Sequence, residues 1–355
     1  MSKLIKWGLW AWLTACVLLI INACATPDTA NVVTTPTETA KPPVTLNGAG
    51  ASFPKFLYDR YFPQFKQETG ITINYEGVGS GAGLRQFIGG TVDFAGSDVL
   101  LKPEQASKVE RGMVAIPTAG GAVAVIYNLE GVANLRLSRQ NLVDIFTGAI
   151  QSWADPRITE NNPEVQLPDV EIKPVVRSDA SGTTYIFSNH LSTLSQTFRE
   201  EVGTSLTPKW KEGFLTAREN AGIAQMVRQT PNSIGYVEAV YSIENKIPSA
   251  AIENRAGDFV LPTLPETNKA FADIKFGDDL SADISDPQTG YPIIGVTYLL
   301  FYQKYEPDKA EAVQKLADWI HTKGQEINES LYYTKIPAAV GQKAIAKVKS
   351  AVKGQ

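Results

Sequence analysis

The chain has 355 residues, 43% of them hydrophobic and 20% charged, with a formal net charge of −4. This ordinary globular balance, without any run of Lys or Arg, argues against nucleic acid as a partner. Only two cysteines occur, Cys16 and Cys24, so no disulfide framework is available.

Lys3 and Lys6 precede an apolar stretch from Trp7 to Ile21, which reads as a signal peptide over residues 1–23. The stretch is shorter than the roughly 20 apolar residues of a membrane-spanning helix, although Asn22 to Ala25 extend it toward a retained anchor. Ile21-Asn22-Ala23-Cys24 resembles a bacterial lipobox, in which the cysteine receives a diacylglycerol and becomes the new N-terminus. Leu13-Thr14-Ala15-Cys16 fits the same short pattern, but cleavage there would leave the apolar Val17 to Ile21 on the mature chain. Cys24 is therefore the expected lipidated residue, and acyl chains there would tether the protein to a membrane surface. Residues 24–43 are rich in Thr and Pro and read as a disordered linker with an average span of roughly 25 Å.

About 310 residues follow from Val44, enough for two domains. Leu46 to Gly48 reads as a strand leading into a helix over Pro54 to Glu68, which Pro63 should kink or divide. Ile71 to Glu76 alternates like a strand and precedes a helix over Gly81 to Ile88. Val92 to Ala95 and Val123 to Tyr127 are further strands. Ser138 caps an amphipathic helix that stops at Gly148. Ile172 to Arg177 is a strand before a helix over Thr183 to Leu191. Ile293 to Tyr302 is a long apolar strand, followed by helices around Asp308 to Thr322 and Gly341 to Val352. Strand, loop and helix in this succession predict an α/β fold with a largely parallel sheet, whose ligands sit beyond the carboxyl ends of strands.

Three loops at that position place a serine beside glycines where a helix begins: GAGASFP (Gly48 to Pro54), GVGSGAG (Gly77 to Gly83) and RSDASGTT (Arg177 to Thr184). Helix N-termini present unpaired N–H groups and a partial positive charge, so three converging ones would cage a small oxyanion. Ser52 and Ser80 are expected to cap their helices and to offer hydroxyls and neighbouring amides. Ser181, Gly182 and Thr183 open the third helix, with Arg177 at the preceding strand end. Its forked guanidinium suits a tetrahedral oxyanion, and Asp179 can orient the fork. Each loop alone is better explained as a helix cap facing water, and it is the occurrence of three in one chain that points to a ligand.

Asp98 in TVDFAGSD (Thr91 to Asp98) would repel an anion unless the ligand brings a proton. A carboxylate accepting a ligand O–H would favour protonated phosphate and reject sulfate, whose oxygens would face it acceptor to acceptor. The plainer alternatives are a cap on the helix near Pro103 or a pairing with a lysine.

These residues, with INYEGVGSGAG, NSIGYVE and the YPI…TYLLF strand near Tyr291 to Phe301, resemble the periplasmic phosphate-binding proteins of phosphate-specific ABC transporters. The resemblance spans essentially the whole body of the chain. It implies a type II periplasmic-binding-protein fold: two lobes, each a mixed sheet flanked by helices, around a central cleft. By analogy the first lobe is 44–125 plus 295–355 and the second is 126–294. Carried over, the phosphate-binding groups are Ser52, the backbone N–H of Phe53, Ser80, Asp98, Arg177, Ser181, Gly182 and Thr183, with Asp179 behind Arg177. Ser52 stands where relatives often have Thr, and Gly81-Ala82 where they often have Ser-Gly. The implied function is extracytoplasmic phosphate capture by lobe closure, for delivery to the permease subunits of an ABC importer. The implied protein is a monomer without cofactor or metal.

Alternatives within the same class are receptors for sulfate, molybdate or a phosphonate; Asp98 argues against the first two. A hydrolase is the competing class. Only His190 and His321 are available as bases, neither lies beside the Ser/Gly loops in sequence, and no G-x-S-x-G elbow surrounds Ser80 or Ser181. Both histidines are expected on helix surfaces. No His pair, Cys cluster or Asp-rich loop suggests a metal.

Overall fold

The computed structural model describes residues 43–284 and 286–355. The expected signal peptide, the expected lipidation site Cys24 and the expected linker up to residue 42 lie outside the described residues. Residues 43–355 form one compact unit.

Eight strands make the main sheet: β1 (Thr45–Gly50), β2 (Thr72–Glu76), β3 (Phe94–Ser97), β4 (Met113–Asn128), β5 (Lys173–Arg177), β6 (Leu215–Ala217), β7 (Ser233–Glu238) and β8 (Ile294–Tyr302). Their order across the sheet is β2-β1-β3-β8-β4-β7-β5-β6. The pairs flanking β1 and β5 are parallel. The central pairs β3/β8, β8/β4 and β4/β7 are antiparallel, so the sheet is mixed and the largely parallel expectation is corrected. The reason is burial: every residue of β8 is buried and so is nearly all of β4. A run buried on both faces shows no alternation that would betray its direction.

β4 joins the two halves of the sheet. Its first part, Met113 to Ala122, pairs with β8, and its last six residues, Val123 to Asn128, pair with β7. Only Val123 to Tyr127 is legible as strand in sequence, because Pro117 and Gly120-Gly121 interrupt the earlier part. Pro117 lacks a ladder N–H, and the register with β8 slips there between Thr297 and Tyr298, as a bulge relieves a proline inside a sheet.

The helices around these strands include α1 (Lys55–Thr69), α2 (Ser80–Ile88), α3 (Arg139–Thr147), α4 (Gly182–Leu194), α5 (Glu219–Gln229), α6 (Ala239–Asn245), α7 (Pro307–Trp319) and α8 (Ala338–Ala351). Of the two outcomes expected at Pro63, a kink or a division, division does not occur: α1 is continuous from Lys55 to Thr69. Pro63 and Asp59, whose carbonyl loses a donor, are both exposed, so the missing bond falls on the solvent-facing side of the helix, where it costs least. On the other face Leu57, Tyr58, Tyr61, Phe62 and Phe65 are buried. α3 has the expected ends: Ser138 Oγ accepts from the Asn141 amide, and Gly148 closes the helix at φ 77°. α7 continues as a π-helical turn over Ile320–Gly324.

Candidate oxyanion site

The loops after β1, β2, β3 and β5 converge. Gly50 N-terminal to Ser52 packs against Gly96 of β3, and the Gly79 amide donates to Gly50 O at 2.8 Å. The Gly81 amide donates to Ala180 O at 2.9 Å, tying the second serine loop to the third. Ser52, Phe53, Ser80, Asp98, Arg177, Ser181, Gly182 and Thr183 are all buried, none more than 6% exposed where polar.

Gly182 sits so close to the second loop that a Cβ there would meet Ser80 Oγ and Asp98 Oδ2. Only a glycine leaves this space open. Gly79, at φ 91°, likewise approaches Asp179 and Arg177. The second and third loops thus meet at two glycines, one beside the Asp98 carboxyl and the other beside the Arg177–Asp179 pair.

Arg177 is held by Asp179 through a fork: Nε to Oδ1 at 2.7 Å and Nη2 to Oδ2 at 2.5 Å. Burial would raise the Asp179 carboxyl, but Arg177 and the Glu219 amide outweigh it and hold the group below the ordinary carboxylate range. The remaining guanidinium nitrogen, Nη1, is buried without a hydrogen-bond partner.

Asp98 follows Ser97, which pairs with Tyr298, so the carboxyl lies beside Thr297 at the slipped register. Burial pushes it up to about 7, against the opposing pull of Thr297, Arg177 and Ser80. Thr297 exerts that pull by proximity without hydrogen bonding in regular geometry, since its hydroxyl has no partner. Ser80 Oγ lies 3.4 Å from Asp98 Oδ2 and accepts from the Asp98 amide at 3.2 Å. Asp98 Oδ1 is buried without a partner. Neither plainer alternative holds, because Lys102 occupies the cap position before Pro103 and Asp98 forms no ion pair with a lysine among the described residues.

The three serines behave differently. Ser181 caps α4 as expected, accepting from the Thr184 amide at 3.0 Å. Ser52 does not cap α1, which begins at Lys55 without a side-chain cap; its hydroxyl instead accepts from Asn220. Ser80 is the first residue of α2 rather than its cap, and its hydroxyl serves Asp98. Both corrections have one cause: a partner distant in sequence outcompetes the helix's own amide.

Four residues beyond the sequence expectation complete the site. Asn220 donates from Nδ2 to Ser52 Oγ at 2.9 Å and to Thr183 Oγ1 at 3.1 Å. Tyr241 donates to Ser52 O at 2.7 Å, and Tyr333 to Phe53 O at 2.8 Å. Glu238 is buried beside Tyr333, and burial pushes its carboxyl well above the usual range. Glu238 ends the NSIGYVE segment and was within sight as part of a motif; Asn220 has no local signal.

The histidines are corrected from surface to interior positions. His190 is 3% exposed, and the ring nitrogens of both His190 and His321 are buried without partners. Burial pushes both down to about 4. Among the described residues, neither histidine is hydrogen-bonded to a serine. Among the described residues no group of three or more His, Cys, Asp or Glu is placed to hold a metal, and no helix is long and apolar enough to cross a membrane. A cleft of about 750 Å³ between α2 and α4 adjoins the cage, with Asp98, Leu84, Ile186, His190 and Tyr298 among its walls.

The fold and motifs have known counterparts. A family model for a PBP superfamily domain matches residues 35–323. The phosphate-binding protein PstS of Pasteurella multocida (strain Pm70) is 34% identical over 316 residues, covering 87% of this chain and 91% of that one. PstS of Methanocaldococcus jannaschii is 35% identical over 319 residues, covering 82% of each. The solved structure of a high-affinity periplasmic phosphate-binding protein, PfluDING, bound with phosphate, has a TM-score of 0.73 at 21% identity, covering 85% of this chain and 93% of that one. It shares the mixed α/β fold, a large sheet flanked by helices. With that fold, and with relatives aligned over most of both chains, the protein belongs to the PBP superfamily and, within it, to the PstS family of phosphate-binding proteins.

Proposed function

We propose that this chain is an extracytoplasmic receptor that captures inorganic phosphate and delivers it to the permease subunits of an ABC importer, without catalysing a reaction. One observation carries the reading. A buried guanidinium N–H and a buried carboxylate oxygen, Arg177 Nη1 and Asp98 Oδ1, both lack partners at one convergent site. Unpaired buried groups of opposite hydrogen-bonding sense are costly unless a guest satisfies both. The guest must be anionic for Arg177 and must still carry a proton for Asp98. Phosphate is both near neutral pH; sulfate carries no proton there and would leave acceptor facing acceptor.

Ser52, the Phe53 amide, Ser80, Ser181, Gly182 and Thr183 supply the remaining donors, with Asp179 fixing Arg177. The lobes are 44–125 with 295–355, and 126–294; the change of partner along β4 at Ala122/Val123 supports a division there. Closure of these lobes sequesters the guest and creates the form an importer recognises. The protein acts as a monomer tethered outside the cytoplasm through a lipid on Cys24, the linker giving it reach.

Titration calorimetry of the full chain with phosphate, sulfate and arsenate tests this. Phosphate should bind, arsenate should compete because it too keeps a proton, and sulfate should give no heat. At 100-fold excess over Kd, phosphate should also stabilise the fold by about 2.7 kcal/mol. Sulfate binding as tightly as phosphate, or no phosphate binding, overturns the proposal.

A further inference from the structure

We infer that Asn220 is a positioning residue that makes the Ser52 hydroxyl, and secondarily that of Thr183, a hydrogen-bond donor to the bound oxyanion. The inference rests on the phosphate-site reading above and adds a residue that touches no guest.

Asn220 is fully buried at the start of α5. Its carboxamide orientation follows from the strand beside it. Oδ1 accepts the Glu238 backbone N–H at 2.9 Å; the reversed amide would set donor against donor. The NH₂ group is thereby turned toward the cage, where its two hydrogens serve Ser52 Oγ at 2.9 Å and Thr183 Oγ1 at 3.1 Å. Ser52 Oγ accepts a second time, from the Asn220 backbone N–H at 3.3 Å.

A hydroxyl has one proton and two lone pairs. Both lone pairs of Ser52 Oγ are occupied by Asn220, so the only interaction left to it is to donate. Thr183 Oγ1 has one lone pair occupied and is biased the same way. This matters for the guest, because a freely turning hydroxyl can also accept and would tolerate a ligand O–H at any corner. With Ser52 restricted to donation, the carboxylate of Asp98 is the acceptor that the ligand proton must find. The residue before Asn220 is held to match: Glu219 takes a left-handed φ of 60°, and its amide donates to Asp179 Oδ1 at 3.0 Å. Ser52 and Thr183 lie 131 residues apart in the chain by their numbers (183 − 52), and one carboxamide sets both.

The test is a double-mutant cycle read by phosphate calorimetry on the full chain. In the native background Asn220→Ala should weaken phosphate binding about 30-fold. In a Ser52→Ala background, where the hydroxyl is already absent, the same change should cost under about 5-fold. Should Asn220→Ala fail to fold, Asn220→Ser replaces it in the same cycle, since serine retains a helix-start side chain while losing the fixed pair of donors. Equal losses in both backgrounds, or no loss in the native one, would overturn the inference, because a merely structural asparagine acts whether or not Ser52 carries a hydroxyl. Failure of the native chain to bind phosphate would instead overturn the functional reading beneath it.

Discussion

The loop at Ser181 and the loops at Ser52 and Ser80 read alike in sequence, yet the fold uses them differently. Ser181 spends its lone pair on its own helix, on the Thr184 amide three residues ahead. Ser52 meets a partner 168 residues away, and Ser80 one 18 residues away. Ser181 finds its donor within its own helix, whereas Ser52 and Ser80 take theirs from elsewhere in the fold. A short motif thus locates a hydroxyl without saying what it will bond, and that choice is made by which strands the sheet brings side by side.

The difference is sharpest at Asp98, where Ser80 delivers its hydroxyl, so changing this carboxyl should have the largest effect. Asp98→Asn should cut the preference for phosphate over sulfate by about 10⁴-fold, because an amide can donate to an unprotonated oxygen. Calorimetry with both anions checks this, and an unchanged preference would remove Asp98 from the specificity argument. The same variant has a second readout without ligand. The native carboxyl sits at about 7 against an ordinary 3.8, so the folded chain holds this proton more tightly than the unfolded one. Its contribution is fully present below about pH 4 and is lost as pH rises to about 7. Asp98→Asn should therefore leave stability unchanged at pH 4 and raise it at pH 8 by up to about 4 kcal/mol.

Arg177 tests the charged side of the same cage. Arg177→Gln should weaken phosphate about 10³-fold and should cost about 3 kcal/mol of stability, since it strands the buried Asp179. Adding Asp179→Asn should restore much of the folding loss but little of the affinity. If the double variant regained phosphate binding, the guanidinium would be serving the fold rather than the guest.

What could be read in advance follows the same division between local and distant partners. Ser138 and Gly148 bound α3, Ser181 caps α4, and Asp179 forks Arg177 two residues away; each depends on neighbours in the chain. Asn220, Tyr241 and Tyr333 reach the cage only through the β4/β7 pairing and the packing of α1, and nothing in Arg218 to Gly222 marks Asn220 as special. The first ten residues of β4 were hidden by Pro117 and a glycine pair, although that stretch pairs with β8, the strand whose register with β3 sets Thr297 beside Asp98.

The two kinds of serine can finally be separated by pH alone. Ser181→Ala removes a helix cap, a loss of about 1 kcal/mol that involves no titrating partner. Its cost in denaturant unfolding should be equal at pH 5 and pH 8. Ser80→Ala also removes a hydrogen bond to the Asp98 amide, but it further deprives the carboxylate of a hydroxyl that pulls its titration down. That second part is felt only when Asp98 is ionised. Asp98 should then titrate above about 7, and the variant should lose more stability at pH 8 than at pH 5. Equal losses at both pH values would mean that Ser80 serves only the backbone of its neighbour, which would place it with Ser181 rather than with Ser52.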